Sequence, residues 1–174
     1  MNRSDPPLTA PEKLRADHDL SDFECGEPAL DNWLRRRALS NEESGASRTY
    51  VVCAGQKVVG YYALAVGAIA HAGAPGRVRR NMPDPVPVMV IGRLAVHKDC
   101  QGKTIGPSLL RDAILRTLQA ADIAGIRAIV VHAISERARQ FYEDCGFRAS
   151  PMDPMTLLIT VVEAVKAFVG KDGK

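Results

Sequence analysis

Two short stretches of this chain carry residue types that can do chemistry. The first is HKDCQGKTIGPSLL, His97 to Leu110, where a short apolar run passes through a loop into an amphipathic helical pattern. Gly102 and Gly106 stand at the entrance to that pattern, Pro107 suits its first turn, and Lys98 and Lys103 add positive charge. A helix N-terminus offers unpaired N–H groups and the positive end of the helix dipole. A phosphate can sit there if no side chain blocks the backbone. The loop matches neither G-x-x-x-x-G-K-[ST] nor G-x-G-x-x-G, which argues against a Walker or dinucleotide site. By its residues alone it reads equally as a phosphate cradle or as an ordinary strand-to-helix connection.

The second stretch is ISERARQFYEDCGF, which holds Tyr142. A phenol within hydrogen-bond reach can protonate a leaving thiolate, although a Phe141-Tyr142 pair on a short helix also reads as core packing. His132, at the end of the preceding apolar run, is a base by residue type and also reads as a satisfied structural histidine. His71 and His97 have weaker claims, and His18 is expected to hydrogen-bond within its own turn. The four cysteines, Cys25, Cys53, Cys100 and Cys145, are widely and irregularly spaced with no C-x-x-C pair. Neither a metal site nor a disulfide framework is expected from them.

The elements that must position these residues follow from hydrophobic period. The 174 residues, 46% apolar and 25% charged, predict one globular domain. Residues 1–12 read as a loose arm and 163–174 as a weakly helical or frayed tail. PALDNWLRRRALS is an amphipathic helix opened by Pro28. RTYVVCA and VVGYYALAVGAIA, joined by GQK, form an antiparallel hairpin. HAGAPGRVRRNMPDP (71–85) is a long loop rich in Gly, Pro and Arg. VPVMVIGRLAV is a strand, and the helix after it carries Leu109, Leu110, Ala113, Ile114 and Leu118 on one stripe and stops at Gly125. IRAIVVHA reads as a strand covered on both faces, and Ser135 caps the helix that holds Tyr142. FRAS and MTLLITVV form a last hairpin. This is an α/β (mixed α+β) chain: a central mixed, mostly antiparallel sheet flanked by helices on both faces. No apolar run reaches the roughly 18 residues that a membrane span needs. The N-terminus lacks an apolar signal core, so a cytoplasmic location is expected. The net charge of +3 decides little, but Arg35-Arg36-Arg37 and Arg77, Arg79 and Arg80 are local basic clusters. They read as solvated surface or as phosphate contacts.

The loop at 97–106 resembles motif A of the GNAT acyl-CoA-dependent N-acetyltransferases, Q/R-x-x-G-x-G/A after a strand and opening a helix. Gln101 and Gly106 match, while Thr104 occupies the position of the first motif glycine. The resemblance implies the GNAT fold and acetyl-CoA as acetyl donor. It implies a cofactor site at Leu94, Ala95, Val96, Gln101, Gly102, Lys103, Thr104, Ile105, Gly106 and Pro107, where backbone amides hold the pyrophosphate. It also implies that Tyr142, ahead of Gly146-Phe147, stands near the coenzyme A sulfur. Threonine at the glycine position costs most if the backbone needs φ > 0 and only crowding if it does not. Weaker acetyl-CoA binding than in a glycine version is therefore expected.

The likeness runs further. His18, Phe23-x-Cys25-Gly26, Leu30-Asp31-x-Trp33-Leu34, Ser47-Arg48-Thr49-Tyr50 and IGRLAV are similar to the GNAT-type toxins of bacterial type II toxin–antitoxin modules, the TacT and AtaT group. That resemblance spans roughly residues 14–160. It implies acetylation of the α-amine of an aminoacyl-tRNA, which halts translation. It implies neutralisation by a ribbon-helix-helix antitoxin, a repressor complex that binds operator DNA, and a homodimer. Arg35, Arg36, Arg37, Arg77, Arg79, Arg80 and Arg93 would then grip tRNA phosphates. Phe23, Leu30, Trp33 and Leu34 are expected to pack the first helix on the sheet, and Cys25-Gly26 to make a tight turn. Two other readings stay open: an ordinary GNAT enzyme acting on a small amine or a protein N-terminus, and a catalytically weakened module that serves the antitoxin–DNA complex.

Overall fold

The computed structural model describes residues 6–170. β1 (Glu12–Lys13) leads to α1 (Pro28–Trp33), a π-helical turn (Leu34–Ala38) and α2 (Leu39–Ser44). β2 (Arg48–Ala54), β3 (Lys57–Ile69), α3 (Gly76–Arg79) and β4 (Val86–Val96) follow. Then come α4 (Ile105–Ala124), β5 (Ala128–His132), α5 (Glu136–Asp144), β6 (Arg148–Ala149), β7 (Thr156–Thr160) and α6 (Val161–Ala164). The strands are ordered β1-β2-β3-β4-β5-β7-β6. β4 and β5 run parallel, as a strand–helix–strand unit requires. β1–β2, β2–β3, β5–β7 and β6–β7 are antiparallel, so the sheet is mixed and mostly antiparallel as expected. Two compact units divide the chain, one running up to Ala65 and including Arg93–Asp112, the other made of Val66–Gly92 and the chain from Ala113.

In the first unit, the period of two along β3 sends neighbouring residues to opposite helices. Tyr61 faces α1: its ring stacks on Trp33 at 6.0 Å and its hydroxyl donates to the Leu30 carbonyl at 2.8 Å. Gly60 and Tyr62 face α4. A Cβ at Gly60 would stand 3.1 Å from both Ile105 and Leu109, tighter than ordinary contact, so glycine there lets α4 approach closely. The buried Tyr62 hydroxyl donates to Asp112. Leu14, Phe23, Leu34, Ala38, Val51, Cys53, Val58, Tyr61 and Ala95 make the core of this unit, with Leu30 and Trp33 packed against it. The first helix and the Phe23 segment thus pack as their spacing predicts.

In the second unit, β5 is buried from Ala128 to Val131. Ala128 and Val130 join Val78, Val86, Val88 and Leu158 in one core cluster. Ser135 caps α5 by accepting the Ala138 N–H at 3.1 Å. Gly125, at φ +70°, ends α4 where a left-handed residue is needed.

Three expectations change or narrow. The arm is not loose from Leu8 onward: Leu8 bridges Ala54, the Thr9 N–H donates to the Cys53 carbonyl at 2.8 Å, and β1 extends the sheet edge. Met1–Asp5 lie outside the described residues. Of its two readings the tail takes the helical one, from Val161 to Val169, because Thr160 and Glu163 form a capping box. Residues 171–174 lie outside the described residues. The long loop holds a short helical turn, α3, whose Val78 is buried.

Candidate active site

The loop at 97–106 leaves β4 at Val96, makes a 3-10 turn over Lys98–Cys100, and enters α4 at Ile105. Gly102 takes φ +80°, and a Cβ there would meet nothing within 4 Å. A Cβ at Gly106 would find only Val96, at 3.9 Å. The backbone from Gln101 to Gly106 therefore presents an approachable surface at the start of a 20-residue helix. That geometry fits an anionic pyrophosphate group.

Thr104 is explained by the same backbone. Among the described residues the one non-glycine at positive φ is Asn81, so Thr104 is unstrained. It is exposed, and its carbonyl accepts the Ser108 N–H at 3.1 Å. That makes it the N-cap residue of α4, a position that favours threonine. The left-handed step is taken two residues earlier, by Gly102, so crowding alone remains of the expected penalty.

The lysines of the loop divide. Lys98 pairs with Glu24 at 3.0 Å, while Lys103 is exposed. Gln101 is exposed but not free, its amide donating to the Cys25 carbonyl at 2.8 Å and the Val96 carbonyl at 2.9 Å.

In the second unit, Tyr142 lies on α5 with 7% of its surface exposed. Its ring makes edge contacts with Phe141 at 5.2 Å and Phe147 at 5.7 Å. The packing reading and the chemical one therefore apply to different ends of the same side chain. Among the described residues no hydrogen bond ties the hydroxyl. Burial first, and then Cys145, push the phenol up to about 12. It keeps its proton at neutral pH and can donate a hydrogen bond to a developing thiolate.

His132 ends β5 with its side chain in a short relay. The Thr156 hydroxyl donates to Asp153 at 2.9 Å, and His132 Nδ1 lies 3.0 Å from the same hydroxyl oxygen. Since that hydroxyl spends its hydrogen on Asp153, the network assigns the proton to Nδ1 and leaves a lone pair on Nε2. Neutral His132 thus has the tautomer of a base. Neither Asp153 nor Thr156 is marked by the sequence, because only the β5–β7 pairing brings them beside His132.

The arginines separate into committed and free. Arg35 donates to the Phe23 carbonyl. Arg93 lies over the Trp33 ring, 4.3 Å from its centroid. Arg77 bonds both oxygens of Glu163 at 3.0 and 3.1 Å and the Leu158 carbonyl at 3.2 Å. Arg77 is therefore a fold residue, and reversing its charge would break an ion pair rather than test a surface. Arg36, Arg37, Arg79 and Arg80 are exposed, although Arg79 also donates to the His71 carbonyl at 3.4 Å. Arg35, Arg36, Arg37 and Arg93 belong to the first unit, and Arg77, Arg79 and Arg80 to the second.

His18 stays within its turn. Its Nδ1 accepts the Arg15 N–H at 2.9 Å, which leaves Nε2 to donate to Glu12 at 2.9 Å. Glu12, His18 and Cys53 bring potential metal-ligating atoms within 4.8 Å of one another. With both ring nitrogens engaged, a cation on Nε2 would demand an imidazolate, so the chemistry is that of a hydrogen-bonded anchor. Gly26, at φ +104°, makes the expected tight turn beside Cys25. No helix among the described residues is long and apolar enough to cross a membrane.

Comparison with known proteins places these features in a family. The acetyltransferase (GNAT) domain model matches residues 45–149. A tRNA-acetylating toxin of Mycobacterium tuberculosis is 52% identical over 162 residues, covering 93% of this chain and 97% of the relative. AtaT complexed with acetyl-methionyl-tRNAfMet superposes with a TM-score of 0.83 at 29% identity, covering 90% of this chain and 96% of AtaT. A tyrosine-to-phenylalanine mutant of AtaT, bound to the C-terminus of the antitoxin AtaR and acetyl-CoA, gives a TM-score of 0.80 at 27% identity, covering 93% and 98%. The AtaT–AtaR complex bound to DNA gives 0.76 at 27% identity, covering 92% and 100%.

Proposed function

This chain belongs to the GNAT acetyltransferases, and from that premise we propose that it is a toxin that moves acetyl from acetyl-CoA to the α-amine of an aminoacyl-tRNA. One observation carries the reading: 52% identity to a tRNA-acetylating toxin runs over 93% of this chain and 97% of that relative. An acetylated α-amine cannot serve as the nucleophile of peptide-bond formation, so translation stalls.

In this reading the residues divide the work. The β4 backbone at Leu94, Ala95 and Val96 lines the acyl arm of the donor. The backbone from Gln101 to Gly106, with Pro107 and the charge of Lys103, holds the pyrophosphate. The neutral amine attacks the thioester carbonyl, so a C–N bond forms, the C–S bond breaks and a thiolate leaves. Tyr142 donates its hydroxyl hydrogen bond to that thiolate. A phenol near 12 cannot surrender its proton outright to a thiol of about 8.5. Tyr142 therefore stabilises the leaving charge, and the net proton comes from the ammonium of the attacking amine. His132 Nε2 is the base this chain offers for that proton.

The same reading assigns the partners. A ribbon-helix-helix antitoxin neutralises the enzyme in the cytoplasm, the complex binds operator DNA, and the enzyme is a homodimer in which the whole chain is one GNAT domain. Incubating total charged tRNA with labelled acetyl-CoA tests the activity. Label is expected on the aminoacyl end of at least one tRNA, and Tyr142→Phe should reduce the rate at least 100-fold, within the range of about 10²–10³ for one lost hydrogen-bond donor to a developing charge. Label only on free amines or peptide N-termini would refute the tRNA reading. An unaffected Tyr142→Phe would refute the role of the phenol.

A further inference from the structure

Four consecutive backbone carbonyls, Asp22 to Cys25, capture donors from elsewhere in the first unit. His97 Nδ1 accepts the Asp99 N–H, so His97 Nε2 donates to the Asp22 carbonyl at 3.1 Å. Arg35 donates to the Phe23 carbonyl. The Lys98 N–H donates to the Glu24 carbonyl at 2.8 Å. Gln101 Nε2 donates to the Cys25 carbonyl at 2.8 Å. Three of the four donors come from the loop that precedes α4. Asp31, 4% exposed, holds the same residue at its other end, its Oδ1 accepting the Cys25 N–H at 2.9 Å. A side-chain amide has two donor hydrogens, and Gln101 spends the second on the Val96 carbonyl at 2.9 Å. Its amide therefore has no hydrogen left for a phosphate.

We propose that Gln101 is a positioning residue. Its amide ties the Gly102 loop to the end of β4 and to the Cys25 carbonyl, and Asp31 holds the N–H of the same residue. This rests on the reading that the loop receives the pyrophosphate of acetyl-CoA. A loop that passes through a left-handed glycine has many conformations when untethered, and ordering it only on binding would weaken affinity. The Asp22–Cys25 turn and the loop thus act as one preorganised element. The first-helix signature Leu30-Asp31-x-Trp33 gains a use that core packing alone does not give it.

Calorimetric titration of the full chain with acetyl-CoA, beside steady-state kinetics on charged tRNA, tests this. Gln101→Met keeps the length of the side chain and removes both donors. Its Kd and KM for acetyl-CoA should rise about tenfold with kcat unchanged, the effect expected for two neutral hydrogen bonds. Asp31→Asn should weaken binding less. The double variant should lose less than the product of the single losses, because both hold the backbone of Cys25, one by its carbonyl and one by its N–H. Multiplicative losses, or a fall in kcat with KM unchanged, would overturn the positioning role. If melting shows that Asp31→Asn does not fold, Glu24→Gln, which breaks the exposed Lys98 pair, takes its place in the cycle. Gly102→Val separates the two levels. If it weakens acetyl-CoA binding while Gln101→Met does not, the positioning role fails and the loop reading stands. If neither changes the Kd, the loop reading itself fails.

Discussion

At the scale of single residues, the loop before α4 shows how one torsion angle changes the meaning of a substitution. Threonine at a motif-glycine position reads as a defect for as long as its backbone conformation is unknown. The structure puts the left-handed step at Gly102 and makes Thr104 the helix cap, so the cost moves to a neighbouring position. We expect Thr104→Gly to change the acetyl-CoA Kd by less than about threefold, since neither strain nor a buried contact is relieved. Gly102→Ala should weaken binding by about tenfold, because a side chain at positive φ costs about 1–2 kcal/mol. Parallel titrations of the two variants check both. A Thr104→Gly variant that binds tenfold tighter would show that crowding by the threonine side chain limits binding.

At the scale of elements, the last helix is held by one residue, Glu163, with three engagements. Glu163 accepts the Thr160 N–H and the Arg77 guanidinium, and its own N–H is capped by the Thr160 hydroxyl. Burial alone would raise its carboxyl. The two Thr160 bonds and Arg77 more than offset that and hold it below its ordinary value of 4.5. A depressed acid contributes stability that is present above its unfolded pKa and is lost as pH falls through its folded one. We expect Arg77→Ala to cost about 1–2 kcal/mol at pH 7. The corresponding drop in Tm is about 2–4 °C per kcal/mol for a chain of this size. The difference from wild type should shrink below pH 4.5 as Glu163 protonates. Melting curves from pH 7 to pH 3 measure it, and a constant difference across that range would show that Arg77 acts through its bond to the Leu158 carbonyl instead.

At the scale of the whole molecule, a net charge of +3 is too small to identify a nucleic-acid partner. What matters is which cations remain free. Arg35, Arg77, Arg79 and Arg93 are engaged by other groups of the fold, whereas Arg36, Arg37 and Arg80 are exposed. We expect Arg36→Glu and Arg80→Glu each to raise the KM for charged tRNA and leave the acetyl-CoA Kd unchanged. Removing one arginine–phosphate pair should reduce the slope of log affinity against log salt by about 0.7–0.9. Acetylation assays between 50 and 200 mM salt would read this. Unchanged slopes would remove these arginines from the tRNA surface.

The sequence alone determined the elements, because hydrophobic period and capping residues act locally. The stripe on α4, the alternation of β2 and β3, Ser135 as a cap and Gly125 as a stop are all legible in it. The Thr160-x-x-Glu163 capping box was legible too, in a stretch that composition made look frayed. The motif glycines and Tyr142 were legible as types at a spacing. What only the tertiary structure decided was which of these groups are already occupied. The amide of Gln101, the guanidinium of Arg77 and the Nδ1 proton of His132 are each claimed by a partner distant in sequence, at Cys25, Glu163 and Thr156. Two such acceptors, the Cys25 carbonyl that holds Gln101 and the Phe23 carbonyl that holds Arg35, are backbone oxygens, which every residue has and no sequence pattern marks. Hydrogen-bond capacity is finite, so a side chain spent on the fold is unavailable to a ligand, and that accounting closes only once the chain has folded.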